Sequence, residues 1–204
     1  MRRLLLASGN RDKLSELTAL LADVPVQLLT PVDVGLDDLD VLEDGADYAA
    51  NAALKAAAFS QASGLPCLAD DSGLEVAALG GAPGVHSARL SPGDDAQRRA
   101  RLLELLAGHP QPWTARFVST VCLALPGDPQ PQQHFAQGEC RGEIVAQERG
   151  VGGFGYDPIF VVAGTGRTMA EFSFREKNKL SHRADAVTKI KPQLRAAFGL
   201  DGTL

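Results

Sequence analysis

Apolar and polar positions fall in blocks along this chain, and most blocks predict one element. Arg3–Ala7 is a short apolar run that reads as a buried strand. From Lys13 the residues Leu14, Leu17, Leu20 and Leu21 recur at helical spacing, so the chain opens strand, polar loop, helix. Residues 25–29 predict a second strand, and 32–42 an acidic connection. Asp47 is placed to cap an Ala-rich helix over Tyr48–Ser63, which Gly64, Leu65 and Pro66 end. Residues 67–69 read as the next strand, with Asp70 and Asp71 at its exit and Ser72-Gly73 as a turn. Residues 80–84 form a turn-rich loop, and Asp94 or Asp95 starts a helix through Leu102, Leu103 and Leu106. Residues 115–125 predict a long strand and 126–133 a Pro-rich loop. Residues 133–140 and 142–148 predict two antiparallel strands, and 159–162 a short one. Ser181 begins the last helix, with a bend at Pro192. This mixture of crossovers and hairpins predicts an α/β fold with a mixed sheet.

Composition narrows the class. The chain is 45% hydrophobic and 22% charged, an ordinary globular balance, with only 5% aromatics, so Leu, Val and Ala build most of the core. A formal net charge of -5 argues against a broad nucleic-acid surface, but not against one anionic ligand in a local basic pocket. Cys67, Cys122 and Cys140 are odd in number and lack C-x-x-C spacing, so buried free thiols in a reducing cytosol are expected. The first apolar run stops at Ser8 and is too short for a secretion signal, and no stretch is long enough to span a bilayer. The expectation is a cytoplasmic protein with no membrane or nucleic-acid partner.

Candidate chemistry gathers in five places. Ser8, Gly9, Asn10 and Lys13 lie between the first strand and helix, where backbone amides suit phosphate and Gly9 permits close approach. The alternative is an ordinary loop with a capping Ser. Asn51 and Lys55 are four apart on one helix face, downstream of Glu43 in the acidic loop. Adjacent carboxylates on Asp70 and Asp71, beside Ser72, are costly to desolvate unless a cation or proton offsets them, and their oxygens suit magnesium. Equally, one Asp caps a turn while the other is solvated. Residues 150–155 match G-x-G-x-x-G, yet Asp157-Pro158 and a strand follow instead of a helix. Phe154, Gly155, Tyr156 and Asp157 offer instead a ring for a flat base beside a carboxylate, or simply a Gly-rich turn packing two aromatics. Finally, Lys177, Lys179, His182 and Arg183 put positive charge near a helix start, which calls for an anion or acceptor.

Taken in order, these segments resemble the inosine triphosphate pyrophosphatases, the Ham1-type non-canonical purine nucleoside triphosphate pyrophosphatases. The matching residues are Ser8-Gly9-Asn10 with Lys13, Glu43, Asn51-Ala52 with Lys55, residues 68–74, residues 79–85 with Ser87-Ala88-Arg89, residues 152–158, and Lys177-Asn178 with Ser181-His182-Arg183. The resemblance implies one domain over residues 1–204, two-lobed, with a long central sheet flanked by helices and an active-site cleft between lobes. It implies a magnesium-dependent homodimer that hydrolyses ITP, dITP and XTP to the monophosphate and pyrophosphate. By the same resemblance, Ser8, Gly9, Asn10 and Lys13 form the phosphate loop, and Glu43 and Asp71 hold the metal. Asp71 is also the proton acceptor, with Asp70 assisting. Lys55 and Ser72 contact the substrate, Phe154 to Asp157 bind the base, and Lys177, His182 and Arg183 hold the base and sugar end. Arg183 or backbone donors are expected to bond the 6-keto group that adenine lacks. The chain departs from the family's usual residues at Ser8-Gly9, Asp47, Tyr48, Ala50 and His86, none of which removes a chemical group. Two rival readings are a Maf-type pyrophosphatase and a non-catalytic nucleotide sensor.

Overall fold

The computed structural model describes residues 2–200. Its strands are β1 (Arg3–Ala7), β2 (Gln27–Leu29), β3 (Cys67–Val76), β4 (Pro83–Gly84), β5 (Trp113–Leu125), β6 (Gln132–Ile144) and β7 (Phe160–Val162). Its α-helices are α1 (Arg11–Leu20), α2 (Tyr48–Ser63), α3 (Asp95–Leu106), α4 (Phe174–Leu180) and α5 (His182–Ala197). The strands form a seven-stranded sheet in the order β2-β1-β3-β5-β6-β7, with β4 beside β3. Pairing of β1 with β2 and β3 is parallel, and that of β6 with β7 antiparallel, so the sheet is mixed as expected.

Local chemistry explains where the helices begin. The Asp47 carboxylate accepts the Ala50 amide at 2.8 Å, and Gly64 closes α2 in the left-handed region at φ 66°. Asp94 and Gln97 form a reciprocal capping box on α3. For α1 the cap is Asn10 rather than Ser8: its side-chain oxygen accepts the amides of Asp12 and Lys13 at 2.9 and 3.1 Å. Helix α4, with its own Ser173–Glu176 capping box, occupies the basic segment that the sequence places just before the last helix and assigns no element of its own.

Two strands run further than the sequence pattern implies. β3 continues through Asp70, Asp71, Ser72 and Gly73 to Val76, so Ser72-Gly73 is not a turn. The two expected strands over 133–148 are one strand, β6, which passes straight through Gly142. Gly142 pairs with Val162. A Cβ built there would lie 2.1 Å from the Val161 carbonyl and 2.7 Å from the Phe160 ring. The glycine serves close approach within the sheet, not reversal of the chain. Gly142→Ala is therefore expected to destabilise by about 1–3 kcal/mol through overpacking. A melting temperature equal to wild type would contradict this.

Two compact units divide the described chain. The first is drawn from Met1–Asp71, Ser119–Gly138 and Arg183–Leu204, the second from Ser72–Val118 and Glu139–His182. In the first unit, Leu4, Leu6, Leu68, Val121 and Leu123 pack with Leu17 of α1, with Leu21 that caps it, and with Val187, Ile190 and Leu194 of α5. Leu5, Ala7, Cys67, Ala69, Cys122 and Ala124 point the other way, toward Ala52, Ala56 and Phe59 of α2. Both sheet faces are covered there, which is why its strands read as unbroken apolar runs. The second unit has its own core, including Leu74, Leu102, Trp113, Phe117, Ile144, Tyr156, Phe160 and Met169. All three cysteines are free and buried. Among the described residues no helix is long and apolar enough to cross a membrane.

Candidate active site

Side chains alternate along a strand, so Asp70 and Asp71 point to opposite faces of β3. They are not a paired dyad at a strand exit. Asp70 shares a face with Leu68, the side of α1 and α5; Asp71 shares one with Ala69, the side of α2.

On the first of these faces Asp70 is neutralised by the protein itself. Its carboxylate pairs with the Lys13 ammonium at 2.9 Å and the Arg183 guanidinium at 3.0 Å, and accepts the Ser119 hydroxyl. Arg183 also pairs with Glu16 of α1. Asp70 and Arg183 are each 1% exposed, so two cations and two carboxylates compensate one another, with only Lys13 reaching solvent in part. Burial opposes the ionised Asp70, but Arg183, Lys13 and Ser119 outweigh it and hold the carboxyl well below its usual range. Asn10 and Ser8 lie at the same end: the Asn10 amide donates to the Ser8 hydroxyl at 3.2 Å. A Cβ built on the exposed Gly9 meets nothing within 4 Å, so no protein group fills that approach.

On the second face the balance at Asp71 falls the other way. Its carboxylate accepts the Asn51 side-chain amide at 3.1 Å. Burial is the largest influence on it and raises its pKa, which Lys13 and Asn51 pull back only in part. Asn51 also accepts the Gly45 amide at 2.8 Å, tying the acidic loop to α2. Within that loop Glu43 pairs with Lys55 at 3.0 Å, and Lys55 donates to the Asp70 carbonyl at 3.3 Å. The helical spacing of Asn51 and Lys55 thus brings loop, helix and β3 together in the first unit.

Whether magnesium suits these groups can be judged from the donors. Among the described residues no three His, Cys, Asp or Glu side chains converge as a metal site. Magnesium commonly takes one or two carboxylates and completes its shell with water and substrate phosphates. A buried carboxylate whose charged form is disfavoured, with a second carboxylate on the adjoining loop, meets that requirement. Asp71 and Glu43 are the residues that would hold the ion.

In the second unit the turn over residues 153–157 is tightly bonded. Asp157, 3% exposed, accepts the Phe154 amide at 2.9 Å and the Lys177 ammonium at 2.5 Å. That ammonium lies 4.6 Å from the centre of the Phe154 ring. Tyr156 is buried, its hydroxyl donating to the Ser87 carbonyl at 2.8 Å, and burial pushes its pKa up to about 12. The part-exposed Phe154 is consequently the aromatic face of this turn, and Tyr156 its anchor. His182 is buried and stacks on Phe117 with ring centres 4.8 Å apart.

A family model described as the Ham1 family matches residues 4–193. The chain belongs to the Ham1 family. It is 46% identical to a dITP/XTP pyrophosphatase of Xanthomonas campestris over 96% of this chain and 98% of the relative. It is 45% identical to a dITP/XTP pyrophosphatase of Symbiobacterium thermophilum, over 96% of each. Among solved structures, a HAM1 protein from Coxiella burnetii superposes with TM-score 0.86 at 38% identity, over 96% of this chain and all of that one. A nucleoside-triphosphatase/dITP/XTP pyrophosphatase from Mycobacterium abscessus gives 0.70 at 40% identity, over 95% of this chain and 97% of its own.

Set against the residues singled out by Ham1 resemblance, the structure groups Ser8, Gly9, Asn10, Lys13, Glu43, Lys55, Asp70, Asp71 and Arg183 in the first unit. It groups Ser72, Phe154, Gly155, Tyr156, Asp157, Lys177 and His182 in the second. The guanidinium of Arg183, a residue the resemblance assigns to the base and sugar end, pairs with Asp70 and Glu16. Sequence reasoning passed over Glu16 and Ser119. The first had a visible signal, a carboxylate beside Leu17 in the apolar stripe of α1; the second was a hydroxyl inside the apolar run of β5.

Proposed function

We propose that this Ham1-family chain hydrolyses non-canonical purine nucleoside triphosphates, ITP, dITP and XTP, to the monophosphate and pyrophosphate. The reading extends to dependence on magnesium, action as a homodimer and a cytoplasmic place in nucleotide-pool cleansing. Besides the activity for which its relatives are named, one observation supports it most. Two neighbouring carboxylates have been driven apart electrostatically: Asp70 is locked as an anion among cations, while Asp71 is left buried and more basic than usual.

Roles follow from these environments. Lys13 and Lys55 supply positive charge to a triphosphate, lowering the repulsion that an attacking water meets. Asp71 accepts a proton from that water, and its raised pKa suits the task. Water adds at the α-phosphorus, the bond to the β-phosphate bridging oxygen breaks, and pyrophosphate leaves. Bound magnesium would neutralise phosphate charge and screen the leaving pyrophosphate. Phe154 offers a base its ring, and the carboxylate of Asp157 fixes both that residue's amide and Lys177.

The deciding measurement is pyrophosphate release from dITP, XTP, dATP and methylated pyrimidine nucleotides, each with magnesium and with excess chelator. Release from dITP and XTP at least about a hundredfold above dATP, abolished by chelator, is the expected result. A preference for modified pyrimidines would establish the Maf-type reading, and tight binding without release a sensor.

A further inference from the structure

Glycine leaves the turn over residues 153–157 conformationally free unless something outside it holds the backbone. Gly153 and Gly155 both sit at positive φ, 70° and 62°. Tyr156 and Asp157 anchor one side. The other side of Gly155 is gripped by α3. Its amide donates to the Asp95 carboxylate at 2.7 Å, and its carbonyl accepts the Arg99 guanidinium at 2.9 Å. Both polar groups of one residue are thus bonded to side chains four apart on one helix face.

The grip is itself braced. The other Asp95 oxygen pairs with Arg98 at 2.5 Å, and Arg98 donates to the Gly93 carbonyl at 2.7 Å. Arg99 makes a two-pronged pair with Glu148 at 2.8 and 3.1 Å. A Cβ built on Gly155 meets nothing within 4 Å, so the space beside the gripped residue is not filled by protein. Phe154, the ring offered to a base, precedes Gly155 directly, so its direction depends on where this backbone is held. The Asp95 side chain is 38% exposed and lies outside the second unit's apolar core. Its two oxygens are divided between this turn and Arg98.

We infer that Asp95 and Arg99 are positioning residues that aim the Phe154–Gly155 turn at the purine and thereby set base selectivity. This rests on the proposed function for the identity of the base. Neither residue touches substrate; each acts through the backbone of Gly155.

Steady-state kinetics on Asp95→Ala, Arg99→Ala and Asp95→Asn test it, with Arg101→Ala as a control from the exposed part of the same helix. For the two positioning alanine variants, KM for dITP should rise about tenfold, as expected for loss of a charge-assisted hydrogen bond, with kcat within about twofold. Their preference for dITP over dATP should fall by a similar factor. The inhibition constant of inorganic tripolyphosphate, which has no base, should stay within about twofold of wild type. Asp95→Asn keeps an acceptor oxygen for the Gly155 amide and should restore most of the selectivity. Equal losses for tripolyphosphate and dITP, or unchanged selectivity in both alanine variants, would overturn the inference. Amide hydrogen exchange at Gly155 reads the grip without any turnover. Asp95→Ala should speed it at least about tenfold, and an unchanged rate also overturns the inference. Absence of wild-type dITP hydrolysis would instead defeat the proposed function, while exchange at Gly155 still reports on the grip.

Discussion

Asp71→Asn lowers kcat for dITP by about 10²–10⁴-fold, the usual range for loss of a positioned proton acceptor. The fold survives, because the new side-chain oxygen can still accept from the Asn51 side-chain amide. The melting temperature should hold or rise, since the substitution removes a charge whose burial is unfavourable. A pH dependence accompanies this. Burial, the largest influence, raises the Asp71 pKa, so the ionised and active form is lost as pH falls through a value above the ordinary ~3.9 of aspartate. At limiting magnesium the acid limb of kcat/KM should lie above that value, and saturating magnesium should move it to lower pH by favouring the carboxylate. Near-normal turnover in the variant, or an acid limb at or below ~3.9 at limiting magnesium, would remove Asp71 from this role.

Asp70→Asn should act on stability instead. Removing one member of a buried, compensated charge cluster leaves Lys13 and Arg183 under-neutralised. The cost is about 3–5 kcal/mol. For a protein of this size that lowers the melting temperature by about 6–20 °C. The pKa shift of Asp70 is opposite in sign to that of Asp71. The folded-state pKa of Asp70 is depressed, so the stabilisation is fully present above the unfolded value of ~3.9 and fades as pH falls from there toward the folded value. The stability gap between wild type and Asp70→Asn should therefore be constant near neutrality and close in acid. Calorimetry at a series of pH values measures it. A gap that does not narrow at all as pH falls below ~3.9, or a melting temperature within about 2 °C of wild type, would show that the cluster is not compensated as described.

How far the sequence could be read varied by element. Helix α2 was legible to its ends, because an Asp cap and a left-handed Gly act within a few residues of the helix. The alternative reading of the first loop offered Ser8 as the cap of α1, two residues before Asn10, since the two have equivalent capping chemistry and only backbone direction separates them. The segments around Gly73 and Gly142 were misread as turns. Glycine marks both turns and close strand contacts, and only the neighbouring strand tells which. Most of the proposed site residues were visible as chemical groups in order along the chain. Asp95 and Arg99 were not, because nothing local distinguishes them from ordinary polar residues near the start of a helix.

By itself, then, the amino-acid order determined the strand–loop–helix opening, the capped α2, the mixed α/β class and the membership of the Ham1 family. Each depends on periodicity, capping and short motifs, which operate over a few residues. The tertiary structure decided the fate of the two adjacent aspartates. Strand alternation sends them to opposite faces, and Arg183, 113 positions away from Asp70, neutralises one of them only. Charge compensation acts through space in a low-dielectric interior, so the cation that matters can come from anywhere in the chain.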